Sequence, residues 1–210
     1  DYLLYGLLVT GAQAVNISVL GFHIIDELAA TGTAAHDTHP FIALAMFAGA
    51  AATLLAQWGL IPLLKLQPRD LMRWGAGLAL AGNVLSIASP GYYGVVMGYA
   101  VVSMGVGFAR PGFTAGPSLS AGASEQGTVA GLMMSLAGPS FLAPPVIGVA
   151  LYEFAEPAPF IANALLLAAA TALCFMSPRL RAGPADLPDR DETPSPETPP
   201  ASQPGPEGNR

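Results

Sequence analysis

The sequence predicts an all-α, polytopic membrane protein with six transmembrane helices, and two observations carry this prediction. Of the 210 residues, 52% are hydrophobic and only 10% are charged, whereas an ordinary soluble domain carries about 25% charged residues. The sequence also contains stretches without Asp, Glu, Lys or Arg, and a helix needs roughly 20 such residues to cross a bilayer. These uncharged stretches are 2–25, 38–64, 74–109, 126–152 and 157–178.

The order of the elements follows from these stretches and from the turn signals between them. The stretch 74–109 is too long for one helix, and the Ser-Pro-Gly-Tyr-Tyr-Gly sequence at 89–94 predicts a turn inside it. Residues 1–177 are therefore predicted to form one bundle. Its six spans are about 2–25, 40–64, 71–88, 92–113, 126–152 and 157–176.

The last part of the chain, 178–210, has a different composition. It is rich in Pro, Ser, Thr, Asp and Glu and has almost no large apolar residues. Such a segment cannot bury enough surface to offset the entropy lost on ordering. We therefore expect a disordered, Pro-rich tail.

The positions of the basic residues predict the orientation of the bundle. Because cytoplasmic loops carry an excess of Lys and Arg, both ends of the chain are predicted to lie in the cytoplasm and the helices in the cell (inner) membrane. No basic stripe suggests nucleic-acid binding. All 8 basic residues lie at or after the ends of the second, fourth and sixth spans, on one side of the predicted bundle: Lys65, Arg69, Arg73, Arg110, Arg179, Arg181, Arg190 and Arg210.

Polar residues in the first span are the best candidates for substrate contact. Thr10, Gln13 and Asn16 are three residues apart, so they fall close to one face of a helix. Polar side chains at this depth face protein or a water-filled cavity. The stripe either faces a substrate or makes hydrogen bonds between helices that only hold the bundle together.

The fourth and fifth spans are dense in Gly and Pro. Gly94/Gly98, Gly112/Gly116 and Gly127/Gly131 are pairs of small residues at a spacing that lets helix backbones approach closely. Spacing alone is equally compatible with moving helices and with a static bundle. Three prolines of the fifth span remove backbone donors and favour kinks that could open one end of a cavity, namely Pro139, Pro144 and Pro145.

Charged residues at the cytoplasmic ends have structural and functional interpretations. Arg69 and Arg73 belong to a compact basic turn. Arg110 has two interpretations. It anchors the fourth span at the membrane surface, or it has a functional role, in which it neutralises an anionic substrate or pairs with Glu125. Glu125 follows Ser124 at a helix start, where a carboxylate suits the positive end of the helix dipole.

Enzymatic and metal-dependent functions are not expected. His36 and His39 are close in sequence, but no further ligands at a recognisable spacing accompany them. The apolar spans hold no Ser-His-Asp arrangement. We therefore predict no catalytic residues, no metal and no cofactor.

Several segments resemble the major facilitator superfamily, especially drug:proton-antiporter-like members. Spans four to six resemble its last three helices, and spans one to three its seventh to ninth, in order over about 2–177. The segments that carry the resemblance are Gly105-Val-Gly-Phe-Ala-Arg-Pro-Gly112, Glu125-Gln-Gly-Thr-Val-Ala-Gly131, Pro145-Val-Ile-Gly148, Pro159-Phe160, Gln57-x-Gly59-x-x-Pro62 and Pro68-Arg69-x-Leu71-x-x-x-Gly75.

The resemblance implies the C-terminal half of a twelve-helix transporter, built from two three-helix inverted repeats. Its partner would be an N-terminal six-helix half or a second copy. The family lines its central cavity with the first and fourth helices of each half, which here are spans one and four. The resemblance therefore adds Tyr99, Ser103 and Met104 of span four to the candidate substrate contacts on span one. The sequence departs from the family at two positions, with Pro144 where the family commonly has Gly and Pro62 where it often has an acidic residue. The acidic residues that usually carry the proton in the family belong to the N-terminal half.

The leading function is therefore proton-coupled efflux of small organic or drug-like compounds by alternating access. An uptake symporter for a metabolite is the alternative within the class. A non-transporting membrane protein for assembly or sensing is the alternative outside it.

Overall fold

A computed structural model describes residues 1–34, 37–120, 126–135 and 137–181, and this part of the chain is helical and free of strands. A π-helix, Leu55–Leu60, lies between the second and third α-helices. The α-helices are α1 (Tyr2–Ala29), α2 (His39–Leu54), α3 (Ile61–Leu64), α4 (Pro68–Ala88), α5 (Tyr92–Ser120), α6 (Gln126–Ser135), α7 (Ala137–Phe154), α8 (Ala158–Met176) and α9 (Pro178–Arg181).

Among the described residues, 5 helices are long and apolar enough to cross a membrane. They are Tyr2–Ala29, His39–Leu64, Pro68–Ala88, Tyr92–Pro117 and Ala158–Met176. The prediction of an all-helical fold is thereby confirmed for the described residues, and the long apolar helices are those of a helical membrane protein by length and composition. The predicted fifth span coincides with α6 and α7, where the apolar helix Leu142–Phe154 is shorter, so the count of six spans stays a prediction.

Two predicted spans differ from the helices that form. The second contains the π-helix, whose wider turns place the backbone N–H of Ile61 opposite the carbonyl of Ala56. The fourth remains helical at Pro111, and it continues beyond its predicted end at Phe113 and through Pro117. Neighbouring helices and side chains can satisfy the backbone groups that a proline frees, so prolines do not end helices in membrane bundles as reliably as in water.

The long helices run up and down between two ends, which we call the Asp1 end and the Glu27 end. At the Asp1 end, Ser177 Oγ donates to Asp1 Oδ2 at 2.7 Å, which joins the end of α8 to the start of α1. At the Glu27 end, the backbone N–H of Gly91 donates to Glu27 Oε2 at 2.9 Å. There Tyr152 also donates to Asp26 Oδ2 at 2.6 Å, so α7 ends beside the end of α1.

The helices interlock as two groups of three. Helices α1 and α5 pack against each other at the centre. Helix α1 also packs against α7 and α8, whereas α5 packs against α2 and α4, and α4 contacts α8. The same set of helix pairs is obtained if α1 is exchanged with α5, α2 with α7, and α4 with α8. These principal contacts thus follow an approximate two-fold relation, from which the smaller contacts of α1 with α2 and of α7 with α8 depart.

The contact between α4 and α5 is the closest in the bundle and depends on glycine. A Cβ placed on Gly75 would lie 2.5 Å from the backbone nitrogen of Ala109, and one on Gly82 would lie 2.5 Å from that of Val102. A Cβ on Gly112 would lie 2.8 Å from the carbonyl of Pro68. The two backbones therefore touch along several turns, and larger residues would separate them.

Candidate functional site

The polar stripe of α1 has one member that is buried and two that are partly buried. Thr10 donates its hydroxyl to the carbonyl of Gly6, one turn earlier. Gln13 is half-buried. Asn16 is 5% exposed and lies within the apolar interior. The structure therefore turns this face of α1 towards protein rather than towards lipid, which agrees with both interpretations of the stripe.

The amide nitrogen of Asn16 is one of several buried polar atoms of the bundle that have no partner among the described residues; His23, Asn83 and Asn163 supply others. The Nδ2 atom of Asn16 is buried and has no hydrogen-bond partner in the described part of the chain. A buried donor without a partner costs about 1–3 kcal/mol, and native proteins rarely leave such groups unpaired. The position therefore suits contact with a group from outside these residues, such as water, a ligand or another polypeptide.

A second group of candidates lies where α5 meets α2. Tyr99 and Ser103 are buried, and a Cβ placed on Gly49 would lie 2.8 Å from Ser103 Oγ and 2.9 Å from Tyr99 Cδ1. Thr53 donates to the carbonyl of Ser103 at 3.1 Å and to that of Gly49 at 3.0 Å. Gly49 thus provides the space into which the ring and the hydroxyl of α5 fit.

Met104 lies on another side of α5, where it packs against the apolar cluster of Ala56, Leu71 and Phe108. Tyr99 instead packs with Leu20 and Ile24 of α1. The six predicted cavity residues therefore do not share one pocket. None of them lines either of the two cavities described below, and their role in substrate binding stays a prediction.

Two buried asparagines connect helices and were not proposed as site residues from the sequence. Asn83 of α4 donates its amide to the carbonyl of Phe160 in α8. Asn163 of α8 donates to the carbonyl of Ala12 in α1 at 3.1 Å. Their position inside otherwise apolar spans is the sequence feature that could have indicated a role for them. Because both amide nitrogens donate between helices, they stabilise the bundle, while the Oδ1 atoms of both residues have no partner among the described residues. Asn16 differs in that its amide nitrogen is the atom without a partner.

A groove of about 380 Å³ lies beside the π-helix. Gln57 and Trp58 of the π-helix line one wall, and Arg110 and Thr114 of α5 line the other. Trp58 is 82% exposed. The groove brings one cationic group next to an amide and an aromatic ring, which would suit an anionic or amphipathic group.

The predicted gating residues have different surroundings. A Cβ on Gly127 or Gly131 would meet nothing within 4 Å in the described part of the chain, so close helix approach is not seen at this pair. Pro144 and Pro145 are half-buried inside α7, which continues through them. The backbone of Pro139 is also helical. Kinking and gating at these prolines stay predictions.

The predicted charge contacts lie at the Asp1 end. Arg73 is within 3.7 Å of Asp70, and its guanidinium lies 5.4 Å from the centre of the Phe175 ring. Arg69 is half-buried in the first turn of α4. Arg110 is exposed in the groove. Glu125, like His36 and the tail beyond Arg181, lies outside the described residues, so the proposed Arg110–Glu125 pair is not tested.

No family model matches this chain, and no curated protein is significantly similar to it in sequence.

Proposed function

We propose that this chain is a six-helix half of a major-facilitator-type secondary transporter that exports small organic or drug-like compounds in exchange for protons. The observation that carries the proposal is the buried amide of Asn16, which has no partner among the described residues. In a membrane bundle, a polar group of this kind marks a cavity or a substrate path by default.

The interlocked packing supports the transporter class. Many secondary transporters are built from inverted-topology repeats, with the substrate site near the midplane between them. Here α1 and α5 are the corresponding central helices of the two groups, and they pack against each other. The candidate residues Asn16, Tyr99 and Ser103 lie on these two helices.

The charges at the two ends support the orientation. Lys65, Arg69, Arg73 and Arg110 lie at or next to the Asp1 end, and Asp26, Glu27 and Glu156 lie at the Glu27 end. By the positive-inside rule, the Asp1 end faces the cytoplasm. The groove with Arg110 then opens towards the cytoplasmic side, where an exporter would collect its substrate.

The contact of α7 with α1 suits a sliding surface. A Cβ on Gly11 would lie 3.7 Å from Pro144 Cγ, and a Cβ on Gly148 would lie 2.9 Å from Val15 Cγ1. Tyr152 also joins the two helices at the Glu27 end through its bond to Asp26. Glycine at both of the other positions keeps the contact free of large side chains, which suits a shift of α7 along α1 when one end of the cavity opens.

The test is dye transport by the intact protein in liposomes under an imposed proton gradient, with ethidium as the probe and glucose as the hydrophilic comparison. We expect gradient-dependent movement of ethidium and none of glucose. Replacing Asn16 by Ala should slow ethidium transport about five- to tenfold, the equivalent of one hydrogen bond.

The matched control is Asn163→Ala, which removes a buried asparagine that bonds within the bundle. It should reduce the amount of folded protein but leave the rate per folded molecule unchanged. Normal transport by Asn16→Ala, alone or combined with Gln13→Ala, would contradict the proposed site. Gradient-dependent movement of glucose instead of ethidium would favour an uptake symporter.

A further inference from the structure

A cavity at the Glu27 end collects three side chains that commonly bind metals. It has a volume of about 230 Å³ and lies between the end of α1, the turn from α4 to α5, and the turn from α7 to α8. His23 and Glu27 come from α1, and Glu156 comes from the last of these turns. One imidazole nitrogen and one oxygen of each carboxylate all lie within 4.8 Å of one another.

The imidazole of His23 is the unusual member of this group. The residue is only 6% exposed, yet neither ring nitrogen makes a hydrogen bond with the described residues. Nδ1 lies 3.1 Å from Glu156 Oε1, which is close enough for an ion pair, but the geometry is not that of a hydrogen bond. The ring of Phe160 packs beside it with centres 4.8 Å apart and offers no acceptor in its plane.

We propose that His23, Glu27 and Glu156 form a binding site for a divalent cation of the zinc class. One imidazole and two carboxylates are a donor set that suits Zn²⁺ better than Mg²⁺ or Ca²⁺, which prefer oxygen ligands alone. Three protein ligands leave a fourth tetrahedral position for water. The buried imidazole then has a partner, and two acidic groups have a counter-charge.

The geometry needs only a small adjustment to bind the ion. Ligand bonds of about 2.0–2.2 Å in a tetrahedral site place ligand atoms about 3.4 Å apart. The ligand atoms here are up to 4.8 Å apart, so the widest pair must approach by as much as about 1.4 Å. The side chain of Glu156 is 51% exposed and lies on a turn, so it can move. Glu27 is held by the backbone N–H of Gly91 at 2.9 Å, which fixes one carboxylate oxygen and leaves the other available.

The ion would join three segments that meet at this end. His23 belongs to α1, Glu156 to the turn before α8, and Glu27 is bonded to the residue before α5. A bound cation would therefore resist separation of α1 from the turn between α7 and α8. We expect it to stabilise the state in which the Glu27 end is closed, and this inference does not depend on what the protein transports.

The test is calorimetric titration of the purified full chain in detergent with ZnCl₂, and with MgCl₂ as the comparison. We expect one Zn²⁺ per chain and no competition by an equal concentration of Mg²⁺. Glu156→Gln and His23→Asn should each weaken Zn²⁺ binding by at least about tenfold, since even groups that only support a ligand cost 10–100-fold.

The controls are Glu153→Gln, an exposed acid one turn before Glu156, and His39→Asn, an exposed histidine at the same end. Both should bind Zn²⁺ as the unchanged protein does. Because Glu156 is exposed, its variant will fold even if the buried His23→Asn variant does not. Zinc K-edge absorption should show a nitrogen and oxygen shell with one imidazole. Absence of binding, or unchanged binding by Glu156→Gln, would overturn the proposal.

Discussion

Replacing Gly75 by Ala tests whether the backbone contact between α4 and α5 holds the bundle together. The added Cβ would lie 2.5 Å from the nitrogen, 2.7 Å from the Cα and 2.7 Å from the Cβ of Ala109. None of these atoms belongs to a flexible side chain. Since ordinary contacts begin near 3.4 Å, the helices must separate by roughly 1 Å at this point, or bend.

The expected cost is that of overpacking a close-packed interior, about 1–3 kcal/mol. A smaller opposing term arises because Ala favours the helix over Gly by up to about 1 kcal/mol. Gly77 lies two residues further along the same helix, and a Cβ there would meet nothing within 4 Å. The variant Gly77→Ala therefore measures the effect of helix propensity on the free energy of unfolding, without any contact with α5.

Equilibrium unfolding in mixed micelles with increasing SDS gives the free energy of unfolding of each variant. We expect Gly75→Ala to be less stable than Gly77→Ala by about 1–3 kcal/mol, and Gly77→Ala to be as stable as the unchanged protein or slightly more stable. Equal free energies for the two variants would refute the packing argument, because only their contacts with α5 differ.

Two further changes separate stability from movement. Tyr5→Phe removes the buried hydrogen bond of 2.6 Å to the carbonyl of Met72 and should lower the free energy of unfolding by about 0.5–1.5 kcal/mol, whereas an unchanged unfolding curve would show that the bond is not formed. Replacing Pro139 and Pro145 by Ala should slow ethidium transport in liposomes more than it lowers the yield of folded protein, and equal losses of rate and yield would contradict gating by α7.

Much of the fold could be predicted because a membrane allows few alternatives. Gaps between charged residues located the spans, since a buried backbone in lipid must form helices. The turn at 89–94 was predicted correctly, and Gly91 there adopts a φ of +88° that favours glycine. The first, third and sixth predicted spans differ from α1, α4 and α8 by no more than a few residues at each end.

Other features depend on contacts that a single sequence does not display. The π-helix at Leu55–Leu60 contains Gly59 and is followed by Pro62, but regular helices of this chain also contain Gly and Pro, so these residues did not predict it. The bonds of Asn83 and Asn163 depend on which helix packs next to which. The cluster of His23, Glu27 and Glu156 joins residues that are more than 120 positions apart. The first predicted span, 2–25, contained His23 but ended before Glu27, and the sequence could not bring Glu156 to them.

The tightest backbone contacts and several departures from regular structure lie on different helices. Helix α4 contacts α5 through glycine and α8 through the bond from Asn83, which makes a firm frame. The departures are the unpartnered amide of Asn16 on α1, the π-helix that follows α2, and the prolines of α7. Proteins tend to break local rules where function requires it. Substitutions in the frame should therefore change mainly the amount of folded protein, and substitutions in the other part mainly its activity.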